Sequence, residues 1–200
     1  MYNFFELPEK KFKIFMAAAN VFAKKGYHKT TIEDIAQEAD IGKSTVYEYV
    51  ESKEKLFSEI VNRGFGFFMD KLAEMLYDAQ DIEETIKTFI KSWLLLIKNH
   101  YSLYCVILCQ YYDPRNDQKT SELYWELTNH MEEILSPALK RAVQAGKLRD
   151  MDISLLLISL VGMLMGASSL FDRSNKEQID VEKLGDEMGE LFLKGIMLRL

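Results

Sequence analysis

One short stretch, "KSTVYEYVESK" at residues 43–53, gathers hydroxyl, aromatic and cationic side chains that no small core could absorb together. Thr45 can hydrogen-bond a base edge or touch a thymine methyl. Tyr47 and Tyr49 hydroxyls, Ser44, Lys43 and Lys53 can engage phosphates. Ser52 and Lys53 place backbone N–H groups and a cation at the start of a helix, a geometry that favours anions. The two tyrosines are two residues apart, so they cannot both face one core across a helix. Packing against a neighbouring helix therefore accounts for one of them at most, and the other is left exposed.

The elements that would hold these groups can be read from periodicity. Two short helices, about Thr31–Glu38 and Lys43–Val50, are joined by "EADIG", the pattern of a helix-turn-helix. Ile32, Ile35 and Ala36 form the inward face of the first, and Ala39 and Ile41 anchor the turn. Val46 and Val50 hold the second down. Thr30 is expected to cap the first helix, with Glu33 three residues on completing a capping box. Upstream, a helix from about Pro8 to Lys25 carries Phe12, Phe15, Ala19 and Phe22 at helical spacing and stops at Gly26. Downstream, Ser52 opens a long helix reaching about Tyr77. Further helices are expected near 81–98, 102–112, 121–145, 152–172 and 179–200, with Gly146 ending the seventh. The polar segments 113–121 and 172–178 read as loops. No stretch sustains the alternation of a strand. The fold class is all-α: nine helices, the first three forming a small N-terminal helix-turn-helix module (1–51) and the rest a larger helical body (52–200).

Composition fits this. Charged residues are 28% and hydrophobic residues 48%, with only 3 prolines to interrupt helices. The net charge is −6, yet residues 1–60 are close to neutral. A nucleic-acid surface must then be a local arrangement rather than a basic domain. Cys105 and Cys109 lie four apart in an apolar run, unlike a secreted disulfide framework, which points to a reducing compartment and a cytoplasmic protein. A secretory signal at "KKFKIFMAAANVFA" is disfavoured, because Asn20 interrupts it and the apolar residues form a helical stripe. The charge-free segment 153–171 is close to membrane-spanning length, but no aromatic or basic belt flanks it; burial in a helical protein explains it equally.

The stretch "FAKKGYHKTTIEDIAQEADIGKSTVYEYVESKEKLF" resembles the DNA-binding region of TetR-type (TetR/AcrR) bacterial transcription regulators. The shared features are the aromatic after Gly26, the Thr-Thr pair, "IA" in the second helix, "K-S-T-V-Y-x-Y" in the third and "S-K-E-x-L" opening the fourth. The resemblance implies a sequence-specific DNA-binding regulator, a repressor that a small-molecule effector releases from a palindromic operator in double-stranded DNA. It implies that Thr31, Lys43, Ser44, Thr45, Tyr47, Tyr49 and Lys53 lie at or near DNA, and that residues 52–200 bind the effector and form a homodimer. Two departures stand out: Gly42 sits where the family often has a capping side chain, and Glu48 where it often has His or Asn.

The body offers candidates for both further roles. Phe89, Trp93, Tyr101, Tyr104, Cys105, Cys109, Tyr112, Trp125, His130 and Met131 could line an apolar effector pocket, or belong to ordinary core. Gly162 and Gly166 could allow close helix approach at a dimer interface, with Leu184, Met188, Leu191, Phe192 and Ile196 as a stripe on the last helix; simple core packing is equally open. Gly64 and Gly66 inside the long fourth helix suggest either a bend or close packing on the first helix. Cys105 and Cys109 with His100 could sense oxidant or bind a soft metal, although two buried small hydrophobes explain the cysteines more simply. No metal site and no cofactor is expected. No phosphate loop, nucleophile elbow or Glu-x-x-His pair marks an enzyme. The competing function is a helical ligand-binding or redox/metal-sensing protein without DNA binding.

Overall fold

The structure, a computed structural model, describes residues 7–76, 81–111, 117–149, 151–173 and 176–196; the side chains of residues 109–124, 172, 173 and 176 are not among them. The elements are α1 (Glu9–Lys25), α2 (Ile32–Glu38), α3 (Lys43–Tyr49), α4 (Lys53–Met75), α5 (Ile82–Asn99), α6 (Tyr101–Tyr111), α7 (Asp117–Gln144), α8 (Ile153–Ser168), α9 (Leu170–Arg173) and α10 (Val181–Ile196), with a 3-10 turn at Lys176–Gln178. Nine of these helices are seven residues or longer and α9 is a single turn, so among the described residues the protein is all-α. The chain forms two compact units, Met1–Met69 with His100–Lys119 and Asp70–Asn99 with Thr120–Leu200.

In the first unit α1 is the central helix, with α2 on one side and α6 on another. That two-sided packing explains why more of α1 is buried than its expected stripe. Ile14, Ala17, Ala18 and Val21 join Phe15, Ala19 and Phe22 in the core, while Phe12 is half-buried. Pro8 stands just before the helix rather than inside its first turn, and Gly26 ends it at φ +77°, a conformation glycine adopts without penalty. Phe57 of α4 meets Phe22 edge-on at 5.3 Å and Tyr27 at 4.8 Å, joining the start of α4 to the end of α1. Glu59 adds a polar tie, accepting from both Lys11 and Arg63 at 2.9 Å. Gly64 packs closely, but on α6 and not on α1. A Cβ there would lie 2.7 Å from Leu103 Cδ1 and 3.2 Å from Ile107 Cδ1, whereas one at Gly66 would meet nothing within 4 Å.

In the second unit α5 is buried almost all round, through Ile82, Ile86, Phe89, Ile90, Trp93, Leu94, Leu96 and Ile97. Its main neighbour is α10. The two helices approach closely at Gly185 and Gly189: a Cβ at Gly185 would lie 2.4 Å from Lys91 Cγ, and one at Gly189 2.8 Å from Lys87 Cγ. The Lys91 ammonium then reaches Glu182 and Asp186, each at 2.9 Å. Trp93 donates its indole N–H to Ser168 at 3.4 Å, a buried link from α5 to α8.

Three expected boundaries move. The helix expected over 152–172 breaks at Ser169, because the Ser168 and Ser169 hydroxyls bond back to the Leu164 and Gly166 carbonyls at 2.7 Å and tighten the last turn. Residues 117–121, expected as loop, begin α7: Gln118 and Lys119 are good helix formers, and a helix can start without apolar periodicity. The polar stretch 172–178 likewise contains the end of α9 and the 3-10 turn. Among the described residues no helix is long and apolar enough to cross a membrane.

Candidate nucleic-acid interface

The helix-turn-helix begins with a cap one residue later than expected. Thr31 is extended (φ −111°, ψ 163°) and its Oγ1 accepts from the Asp34 N–H at 3.2 Å; Asp34 in return accepts from the Thr31 N–H at 3.0 Å. The capping box is thus Thr31 with Asp34, not Thr30 with Glu33. Thr30 was taken elsewhere: its hydroxyl donates to the Gly26 carbonyl at 2.8 Å and the residue is buried. Lys25 pairs with Asp34 at 2.6 Å and, with the two hydrogen bonds from Thr31, holds its carboxyl down to about 2.

The turn between α2 and α3 closes as a Schellman motif. The Ile41 N–H donates to the Ala36 carbonyl at 3.0 Å and the Asp40 N–H to the Gln37 carbonyl at 3.1 Å. The left-handed residue is Asp40, at φ 51°. Glycine is the usual occupant; aspartate is among the few residues that tolerate the conformation. Ala36 and Ala39 are buried beneath the turn.

On α3, Val46 is fully buried and Val50 nearly so, which fixes the roll of the helix. Lys43, Ser44, Tyr47 and Glu48 are consequently exposed, Tyr47 at 50%, while Thr45 and Tyr49 are half-buried. No side chain caps α3 at Gly42. Ser52 caps α4, accepting from the Lys55 N–H at 3.1 Å. Lys43 lies 5.9 Å from the Tyr47 ring centroid and forms an ion pair with Glu33 of α2. That pair lowers the Glu33 carboxyl and raises the Lys43 ammonium from their ordinary values. Lys53 is different: its ammonium donates to the Tyr27 carbonyl at 2.9 Å and the Thr30 carbonyl at 2.8 Å. The arrangement is a short helix held by two valines, with a cation, two hydroxyl residues and a phenol on its outer side, as insertion into a major groove requires.

A model of the "Bacterial regulatory proteins, tetR family" matches residues 14–60, the span from the core of α1 through the first turns of α4. A solved structure from Clostridium perfringens, provisionally described as a fatty acid metabolism regulator, is 30% identical, with a TM-score of 0.74 over 94% of this chain and 100% of that one. The chain belongs to the TetR family. A Bacillus subtilis fatty acid metabolism regulator protein is 23% identical over 94% of this chain and 95% of its own length. The fatty acid degradation regulator FadR from Bacillus halodurans shares the fold, with a TM-score of 0.75, 23% identity and coverage of 95% and 97%. This chain is thus a DNA-binding transcriptional regulator, and TetR-family regulators bind operators and small-molecule effectors as dimers.

The other candidate residues are dispersed. Phe89, Trp93 and Met131 are core of the second unit, Trp125 is 63% exposed, and His130 is half-buried with its Nδ1 2.9 Å from the Glu126 carbonyl. Tyr104 is buried in the first unit, with Tyr101 and Cys105 half-buried beside it on α6. Tyr112 and the Cys109 side chain lie outside the described residues. A cleft on the outer side of α7, lined by Asn129, Glu132, Glu133, Ser136, Pro137 and Lys140, includes none of them. Among the described residues no three His, Cys, Asp or Glu side chains are grouped as a metal site would require.

The dimer candidates divide. Gly162 and Gly166 are exposed with open space around them, Leu191 is 71% exposed, and Leu184 and Phe192 are half-buried. Met188 and Ile196 are buried in the protomer's own core, because α10 turns that face toward its own chain. The residues that sequence reasoning missed are Leu155 and Ile158, which extend the Gly162–Gly166 face of α8 at helical spacing and are 54% and 46% exposed. In an unbroken apolar run, exposure of one face leaves no periodic signal. The close α5–α10 contact at Gly185 and Gly189 leaves no signal for a different reason: it depends on which distant helix brings Lys87 and Lys91 beside those glycines.

Proposed function

We propose that the protein is a cytoplasmic repressor that binds a palindromic operator as a homodimer and is released by an apolar small molecule, without any catalytic step. The observation that carries this reading is the roll of α3: Val46 and Val50 are buried, and Lys43, Ser44 and Tyr47 are left outward on an otherwise anchored helix. Thr45 and Tyr49 flank that surface, and Thr31 opens the helix behind it. Residues 1–51 would supply DNA recognition and 52–200 the effector site and dimer contact. Exposed Leu155, Ile158, Gly162 and Gly166 share one face of α8, and Leu191 is exposed on α10; this is apolar surface that a second copy would cover. The fatty-acid regulators among its relatives favour a fatty acid as effector.

Selecting bound duplexes from a random library tests this directly. A palindromic consensus with half-sites about one helical turn, roughly 34–36 Å, apart is the expected result. An asymmetric consensus, or no enrichment, would sink the reading. Adding palmitate should then lower retention of the selected duplex, and by reciprocity the duplex should weaken palmitate binding.

A further inference from the structure

Lys53 opens α4, yet its side chain turns back toward the loop between α1 and α2. Both carbonyls it reaches, those of Tyr27 and Thr30, belong to that loop. The same ammonium lies 4.5 Å from the centroid of the Tyr27 ring. The ring is itself packed on Phe57, one turn further along α4, and on Phe22 of α1. Within the loop the Gly26 carbonyl is taken by the Thr30 hydroxyl, and the Tyr27 carbonyl also accepts the Thr30 N–H at 3.3 Å. Thr30 is 1% exposed, so its carbonyl has no access to bulk water and needs an internal donor. Lys53 is that donor. A charged donor to backbone oxygens makes a stronger hydrogen bond than a neutral one, and a ring face adds to it where water is partly excluded.

We propose that Lys53 is a positioning residue. It clamps the α1–α2 loop to the first turn of α4, and so fixes the presentation of α2 and α3 to DNA, in place of a phosphate contact. This rests on the DNA-binding reading of α3. Two of the ammonium's three donors are committed to the loop, and Thr31, which starts the capping box of α2, directly follows the clamped carbonyl of Thr30. Displacement of the loop would therefore carry the start of α2 with it.

The test uses the full-length chain and the Lys53→Met variant, which keeps an unbranched stem and removes the charge. Hydrogen exchange in peptides covering residues 27–33, measured without DNA, should accelerate about tenfold or more, with α5 unchanged as the internal reference. Duplex retention is then measured across a salt series with a random-sequence duplex and with the library-selected one. The expected result is an unchanged salt slope on random duplex and a preference for the selected duplex reduced about tenfold. A slope lower by about 1.8, one lost contact from each protomer of the dimer, with exchange and preference unchanged, would make Lys53 a phosphate contact and overturn the proposal. Tyr27→Leu removes the ring and leaves both carbonyls. It should shift exchange in the same direction but less, and the double variant should fall short of the product of the two single effects. Unchanged exchange in Tyr27→Leu, or independent effects in the double variant, also counts against the clamp. If the wild-type chain selects no duplex, the DNA-binding reading fails, while the exchange result still decides the clamp.

Discussion

Replacing Gly185 by alanine puts a methyl group where α10 and α5 leave no space. The new Cβ would lie 2.4 Å from Lys91 Cγ, 3.4 Å from its Cβ and 3.3 Å from its Cα. Carbon atoms rest at about 3.5–4.0 Å, so the overlap with Cγ exceeds about 1 Å. Cγ cannot simply swing aside, because the Lys91 ammonium is held by Glu182 and Asp186 and its Cα belongs to the α5 backbone. Relief requires the helices to separate or the ion pairs to break. Overpacking of this kind costs about 1–3 kcal/mol, and the gain in helix propensity over glycine returns about 1 kcal/mol. Gly185→Ala should therefore be destabilised by about 1 kcal/mol, a fall in Tm of about 2–4 °C for a chain of this size. Gly189→Ala meets Lys87 Cγ at 2.8 Å but its Cα only at 3.6 Å, and should be close to neutral. Gly66→Ala has open space and should be stabilised by about 0.5–1 kcal/mol. Thermal or urea unfolding at one fixed protein concentration gives all three values. A Gly185→Ala protein stabilised as much as Gly66→Ala would refute the close approach of the two helices.

Other consequences can be checked separately. Thr31→Ala removes the cap of α2 and should cost about 1 kcal/mol in unfolding experiments, whereas Thr30→Ser should keep its bond to Gly26. Asp34 is depressed from 3.8 to about 2, so its contribution to stability is complete above about pH 4 and is lost as pH falls toward 2; a carboxyl titration by NMR with a midpoint near 4 would contradict the pairing with Lys25 and Thr31. Lys43→Met should lower the salt slope of duplex binding by about 1.8, one phosphate contact from each protomer of the dimer, and Thr45→Ala should relax base preference in the library selection; no change in either assay would remove those residues from the interface. Alanine at both Gly162 and Gly166 should weaken a dimer seated on α8, seen as a sedimentation equilibrium shifted toward monomer, and an unshifted equilibrium would place the second copy elsewhere.

The helix-turn-helix was readable in the sequence because its parts meet their partners nearby. Ile32, Ile35, Ala36 and Val46 are buried as their spacing implies, and Val46 with Val50 decides which side of α3 faces outward. Glycine at 26 and 146 marked two helix ends because the required positive φ is a property of a single residue. Local chemistry became ambiguous where two neighbours could play one part. Thr30 and Thr31 can both cap a helix, and the choice fell to Thr31 because the Thr30 hydroxyl, on a buried residue, is taken by the Gly26 carbonyl. Lys53 looked like a surface cation, but its partners are 23 and 26 positions back along the chain. Likewise the glycines at close helix contacts within the protomer are 64, 185 and 189, not 162 and 166, since the leucine and lysine side chains they accommodate belong to α6 and α5. Periodicity and turn chemistry act over one or two turns of chain and can be read along it. The destination of a long side chain, and the space beside a glycine, depend on which distant helix arrives there, and that is settled only when the helices pack.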